Sequence, residues 1–414
     1  MNLHNKRWLD SVSICTRFRS FQANVKGLVF LHSIMKYSRV VLGIETSCDE
    51  TGAAVVDENG KILGDALLSQ KEVHLKTGGI IPSVAQQLHK ENIHRVVNEA
   101  ILSSGISPSY LSAIATTVKP GIALCLEAGL TYSLNLVKQY KKPFIPIHHM
   151  EAHALTIRLL HPVEFPFLVL LISGGHCILA LAQGISDYLL LGQSLDEAPG
   201  VSLDKVARRL SLIKHPECSS LSGGQAIEHL SSYGDKTFCK FRLRMVKHQD
   251  CNFSFSGLRT HFNNIIEKME DFEGKQKGDI LLCAADIAAS FQHALAHHIV
   301  KQTQRATLFC KRENLLLPHS SLVVSGGVAS NGYIRTMLKN VADDIDMPFM
   351  CPPPPLCTDN GVMIAWNGIE RLRVGAGILN GAFDIRYEPR AHLGKDISEQ
   401  VRKASIKLPP LKKI

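Results

Sequence analysis

The sequence predicts an α/β fold in two lobes, and three observations carry that prediction. The chain has 414 residues, beyond the roughly 250–300 at which a single core stops growing. Its apolar stretches alternate between strand-like and helix-like periods, the pattern of a largely parallel sheet in each lobe. A hairpin unit at 39–68 also recurs in layout at 166–196, although the residues differ. Hydrophobic residues make up 45% and charged residues 20%, a globular balance that excludes a disordered or collagen-like chain.

Charge divides the chain before any element does. Residues 1–40 hold seven basic side chains, Lys6, Arg7, Arg17, Arg19, Lys26, Lys36 and Arg39, against one acid, Asp10. Serines are interleaved with Trp8, Phe18, Phe21 and Phe30. A basic, serine-containing, acid-poor segment broken by apolar residues predicts a mitochondrial presequence over 1–36, and so a matrix location. The plainer alternative is an untidy basic tail. The rest of the +9 net charge is only +3, so any nucleic acid contact must come from a local patch. Eleven cysteines without a CxxC pair argue against zinc fingers and disulfide frameworks and suit a reducing compartment. The longest apolar run, FLVLLI at 167–172, is far short of the roughly 20 residues a spanning helix needs, so no stable membrane insertion is expected.

In chain order, VVLGI and GAAVV read as strands flanking a small polar turn. DENGK at 57–61 reads as a hairpin turn around Asn-Gly. Residues 83–103 place Val84, Leu88, Ile93, Val96, Val97, Ala100 and Ile101 near a 3.6 period and predict a helix. A strand follows SPSYLS, a helix covers 123–139, and KKPFIPIHH at 141–149 is a strand opening a helix. PFLVLLISGGHCILALAQGISDYLLLGQSL then gives three strands. Residues 215–280 read as insertions and loops. A long helix spans about 284–310, a strand ends in SGG near 325, and GYIRTMLKNVADDI is a helix. The tetraproline at 352–355 predicts an extended connector. The expected organisation is 37–148 as lobe I, 149–359 as lobe II, 360–390 returning to lobe I, and 391–414 as a tail.

Three segments share one layout, a strand entering a Gly/Ser/Thr turn: GIETSCDET at 43–51, LISGGHC at 171–177 and VVSGGVASN at 323–331. Glycines let backbone N–H groups approach an anion, and hydroxyls add donors. One such turn is ordinary, but three at strand ends match an actin-like phosphate clamp. Neither GxxxxGK[ST] nor GxGxxG occurs. Glu45, Asp49 and Glu50 in the first turn supply acids, with a solvated loop as the bland alternative.

IHHMEAH at 147–153 sets His149 and His153 four residues apart, on one face of a helix and suited to a divalent metal. The glutamate position is wrong for HExxH. His293 and His297 repeat the spacing, but they fall mid-helix among alanines and read as a surface or packing pair. Asp359 in CTDNGVMIAW is the candidate third ligand, with a helix N-cap as its alternative role.

Together GIETSCDET, KTGGIIPSVA, HHMEAH, LISGGH, LDKVARRL, FSFSGL, SGGVASN and CTDNGVMIAW, in this order over about 39–390, resemble the tRNA threonylcarbamoyladenosine synthases, long labelled O-sialoglycoprotein endopeptidases. The resemblance implies a two-lobed actin-like ATPase (ASKHA) fold with duplicated ribonuclease-H-like domains. It implies transfer of threonylcarbamoyl from threonylcarbamoyl-AMP to N6 of the adenosine 3′ of the anticodon in tRNAs reading ANN codons. By position, His149, His153 and Asp359 match its ligands for one divalent metal per subunit, whether Fe, Zn or Mg. Ser173, Gly174 and Gly175 match its phosphate turn, and Asp204 its ribose contact. Gly224 and Glu228 match further nucleotide contacts, and Ser330 and Asn331 the adenosine end. Asp49 and Glu50 match the acidic pair at the reacting centre. Mitochondrial tRNA, an upstream threonylcarbamoyl-AMP synthase and a second copy in a homodimer are the implied partners.

The chain also departs from that pattern. The glutamate usual near Val201 is missing from GVSLDK, and Leu203 replaces an aromatic. LSGGQ stands at 221–225 for a Pro-Gly-Gly-Pro, His148 for an Asn, and AQQ at 85–87 for Ala-Ser-Arg. The competing readings are a glycoprotein metalloprotease, a small-molecule kinase on the same fold, and an ATP-binding scaffold without turnover.

Overall fold

The computed structural model describes residues 39–77, 79–240, 249–381 and 384–410. The presequence expected over 1–36 lies outside the described residues. The first sheet starts with β1 (Val40–Glu45), β2 (Glu50–Asp57) and β3 (Ile62–Ser69), successive strands running antiparallel. The β2–β3 turn is the Asn-Gly hairpin: Asp57 accepts from the backbone N–H groups of Asn59 and Lys61, and Gly60 takes φ +82°. Next come α1 (Lys71–Lys76), α2 (Pro82–Ser104), β4 (Ala113–Lys119), α3 (Ala123–Tyr140) and β5 (Phe144–His148). β4 runs parallel to β1 and β5 parallel to β4, giving the order β3-β2-β1-β4-β5. Every residue of β1 is buried, which is why it reads as a continuous apolar run rather than an alternation.

The chain leaves this sheet through α4 (His149–Leu155) and α5 (Ile157–Leu160). It enters a second sheet at β6 (Phe167–Ile172), β7 (Cys177–Ala182) and β8 (Tyr188–Gln193), again antiparallel neighbours. Helices α6 (Pro199–Arg209), α7 (Gly223–Ser231), α8 (Ser256–Glu273) and α9 (Ala284–Arg312) cover it. β9 (Leu322–Ser325), α10 (Gly332–Asp344) and β10 (Phe349–Met350) then add two parallel strands. The run β8-β7-β6-β9-β10 repeats β3-β2-β1-β4-β5 strand for strand, in order and in direction. This is the duplicated ribonuclease-H-like arrangement of the actin-like fold.

After a short turn, α11 (Pro354–Cys357), helix α12 (Gly361–Val374) lies across the first sheet. Met363, Ile364 and Trp366 pack on Val41, Ala54 and Ile145. The approach is backbone to backbone. A Cβ on Gly43 would lie 2.2 Å from the Ala365 nitrogen, and one on Gly361 would lie 2.3 Å from the Ala53 carbonyl carbon, so only glycine fits. Leu379 bridges Phe144 at the sheet edge, and the Glu388 N–H donates to the Val118 carbonyl.

Three expectations need correction. Residues 391–414 are not simply a tail: β11 (Lys395–Asp396) pairs with β8, and α13 (Ser398–Ala404) buries Val401 in the second core. Residues 215–280 are not insertions and loops alone: their described residues include α7 and α8, whose Ile227, Leu258 and Phe262 are core residues. The tetraproline is extended only in its first half. Pro354 and Pro355 open α11, where a missing N–H costs nothing because first-turn donors have no intrahelical partner.

Candidate metal centre and cleft

β5 ends at His148 and α4 starts at once, so His149 is the first helical residue and His153 sits one turn on. Their rings meet edge to face with centroids 4.7 Å apart. Asp359 arrives from the other side, just before the Asn360 cap of α12. Its Oδ1 lies 3.0 Å from His153 Nε2 and 3.4 Å from His149 Nε2. The three ligand atoms fall within 4.8 Å of one another, in the one cluster of this kind among the described residues. Asp359 is not the helix cap: Asn360 accepts the Met363 N–H. That leaves the aspartate free to face the histidines.

Glu45, at the end of β1, is fully buried behind the pair. Its Oε2 lies 3.1 Å from His149 Nδ1 and accepts from Thr117 Oγ1 at 2.5 Å, while its Oε1 accepts the Ser47 N–H. The Ser47 hydroxyl sits 3.2 Å from the same imidazole nitrogen. A carboxylate on Nδ1 fixes which tautomer His149 holds and leaves Nε2 to face a ligand. Burial opposes ionisation of Glu45, but His149 beside it holds its carboxyl below the ordinary value. Burial likewise opposes charge on His149, yet Asp359 and Glu45 push its imidazole well above the usual range. Asp359, against burial, is held well below its ordinary value by His149 and His153. Two imidazoles and a carboxylate, aimed at one point and oriented from behind, fit a divalent metal.

The centre opens into a cleft of about 420 Å³ lined by Asp49, Glu50, His149, Asp359, and Ser173 to His176. Burial, then the charges of Asp49 and Asp359, push the Glu50 carboxyl up to about 9. Ser173, Gly174 and Gly175 form the β6–β7 turn, where the Ser173 hydroxyl accepts from the N–H groups of Gly175 and His176. A Cβ on Gly174 or Gly175 would meet nothing, so the turn faces open space. His176, driven down to about 4 by burial and by His149, is a neutral wall of the same cleft.

Asp204, on α6, lines an adjoining cleft of about 370 Å³ with Gly223, and Asp49 borders both clefts. Its Oδ1 accepts the Gly224 N–H. Glu228 accepts the Gly332 N–H across from α10. Asn331 caps α10 and donates to Gln292, and Ser330 ends the turn before it. The structure thus gathers His149, His153, Asp359, Asp49, Glu50 and residues 173–175 at one cleft, and Asp204 beside it. Gly224, Glu228 and Asn331 are engaged in bonds between helices. Among the described residues, His293 and His297 face no carboxylate: His293 Nδ1 bonds the Tyr333 hydroxyl at 2.7 Å.

Sequence reasoning missed four supports. Glu45 was one of three turn acids, with nothing to show that it alone points inward. Ser47 and Thr117 gave no signal of their own. His89, buried in α2, bonds the Thr51 hydroxyl and the Cys48 carbonyl and pins the first turn; its place in the apolar period was the available hint.

Two duplicated α/β lobes with a His-His-Asp centre at the cleft between them define the class: a two-lobed actin-like protein with a candidate metal site beside a glycine turn. The model of the tRNA N6-adenosine threonylcarbamoyltransferase family matches residues 61–366. The mitochondrial tRNA N6-adenosine threonylcarbamoyltransferase of Xenopus tropicalis is 65% identical over 94% of this chain and 96% of its own length. That of Homo sapiens is 62% identical over 95% and 94%. The tRNA N6-adenosine threonylcarbamoyltransferase of Wolbachia pipientis wMel is 39% identical over 81% and 94%. The chain belongs to the tRNA N6-adenosine threonylcarbamoyltransferase family.

Proposed function

We propose that this chain transfers a threonylcarbamoyl group from threonylcarbamoyl-AMP to N6 of the adenosine 3′ of the anticodon, in mitochondrial tRNAs reading ANN codons. The observation that carries the reading is the convergence of His149, His153 and Asp359 with Asp49, Glu50 and the Ser173–Gly175 turn on one cleft. The mitochondrial setting is supported by the names of the relatives and by the basic first segment. The likeness to the family supports a homodimer and an upstream synthase that makes the donor.

The imidazole-rich donor set favours a zinc- or iron-like ion over magnesium, which prefers oxygen ligands. Held by His149, His153 and Asp359, such an ion supplies Lewis acidity toward the donor's phosphate. The chain's own groups do the rest. Within the Ser173–His176 turn the Gly174 N–H is the one backbone donor not already bonded inside the turn, and it is the group offered to the charge that grows on the departing AMP. The bond from N6 to the carbamoyl carbon forms as the carbon–oxygen bond to phosphate breaks, and AMP keeps the electron pair. The N6 proton passes to Asp49, while Glu50, protonated at neutral pH because its carboxyl titrates at about 9, donates a hydrogen bond. Asp204 holds the ribose. An anticodon-loop base can be splayed out without opening a duplex, so the cleft has only to position it.

The test is the purified chain with threonylcarbamoyl-AMP and an unmodified ANN-reading tRNA, digested and read by mass spectrometry. Modified adenosine from wild type and none from Asp359→Ala supports the reading. Equal product from wild type and Asp359→Ala would remove the metal from the chemistry.

A further inference from the structure

Glu151 sits midway between His149 and His153 in sequence. Two residues along a helix is about 200° of rotation, so its side chain leaves α4 on the face away from the two ligands. There it accepts from Arg371 of α12 at 2.5 Å, with both side chains only 11% exposed. Arg371 Nε also donates to Asn367 Oδ1 at 3.0 Å. The loop beyond α12 closes over the guanidinium: a Cβ on Gly377 would lie 2.7 Å from Arg371 Nη1. Asp359 stands at the other end of α12. The two protein segments that carry the three candidate ligands are therefore tied together a second time, on the far side of α4.

We propose that the buried Glu151–Arg371 pair is a positioning clamp that sets the distance between the histidines of α4 and Asp359. The inference rests on the reading of His149, His153 and Asp359 as metal ligands. A buried ion pair is weak evidence for stability, because desolvating both charges offsets their attraction. What it does provide is geometry. The charged fork fixes one register of α4 against α12, where the apolar contacts of Ala152 with Met363 and Ile364 would tolerate sliding. A second tie lies seven residues further on, in α5, where Arg158 Nε donates to the buried Glu370 at 3.2 Å.

The experiment titrates cobalt(II) into the purified full chain and follows its visible ligand-field absorption. It compares wild type, His149→Ala, Glu151→Gln and the double variant Glu151→Leu/Arg371→Met. The double variant removes both charges at similar volume and leaves no unpaired buried ion. The clamp predicts that the double variant melts near wild type, binds cobalt about tenfold or more weakly, and shows an altered spectrum. Glu151→Gln, which keeps a hydrogen bond to Arg371, recovers part of the affinity. In transfer, kcat falls while KM for tRNA holds. Wild-type cobalt affinity and spectrum in the double variant would overturn the clamp, as would an affinity loss that only tracks unfolded protein. A wild type that takes up no cobalt would sink the metal reading and the clamp with it. Uptake lost in His149→Ala but intact in the double variant would sink the clamp alone.

Discussion

Two histidine pairs in this chain have the same four-residue spacing and opposite surroundings. His149 and His153 open a helix at a strand end, ring centroids 4.7 Å apart, with Asp359 in front and Glu45 behind. His293 and His297 lie inside α9, centroids 6.1 Å apart, with Tyr333 as a neighbour. Their titrations also diverge. Asp359 and Glu45 push His149 well above its usual range against burial, whereas burial and Lys301 take His297 down to about 4. Spacing gives two imidazoles a common face; the carboxylates brought to that face decide whether it can hold a cation.

The strongest way to break this contrast is to remove the carboxylate in front. Asp359→Ala is expected to abolish metal uptake and cut transfer by on the order of a thousandfold, the equivalent of losing several kcal/mol of charge stabilisation. His293→Ala is expected to leave transfer within about twofold, since a site away from the chemistry contributes little. Parallel assays of the two check both. Removing the carboxylate behind is next. Glu45→Gln should weaken metal binding by about 10- to 100-fold, the usual cost of losing a partner that orients a ligating histidine. Competition with a metal indicator measures it.

A chelator sharpens the contrast further. Metal bound only to the folded state at 100 times its dissociation constant adds about 2.7 kcal/mol, so stripping it should lower Tm by several degrees in wild type and not in His149→Ala. Because His149 must give up a proton that its neighbours hold above the usual range, metal affinity should climb with pH through neutrality. A fall on raising pH would contradict the charge assignment. The smallest effect belongs to the second pair, where the shift of His297 is opposite to that of His149. The folded state depresses His297, so it adds stability above its unfolded value of about 6.5 and loses it as pH falls toward about 4. Denaturant titrations should show less acid sensitivity in His297→Gln across that window.

Much of this was legible in the residues. The first and second hairpin units stand out because each strand carries its own alternation or apolar run, and the structure gives them identical pairing. His149 and His153 were legible by spacing, and Asp359 by its place in CTDNG. The partners of those candidate ligands were not. Glu45 reaches His149 only because β1 pairs with β4 and β4 with β5, which stacks the strand ends; nothing local in GIETSCDET says that Glu45 points inward while Asp49 and Glu50 face the cleft. β11 is two residues long and has no period to read, so 391–414 reads as a tail. In 215–280, polar turns between α7 and α8 outweighed short apolar faces that only the second core explains.

The path of the chain has one more consequence. The chain crosses a third time before β11, but its first two passages between the lobes fall at His149 and just after Asp359. Any swing of one lobe against the other moves material least where the chain itself crosses over. The candidate ligands sit at those crossings, near the pivot rather than at the jaws. The Ser173–His176 turn stands beside them, with the His176 ring centroid 6.5 Å from that of His149. With the pivot placed there, a swing of the lobes would change the mouth of the cleft more than the separation of His149, His153 and Asp359.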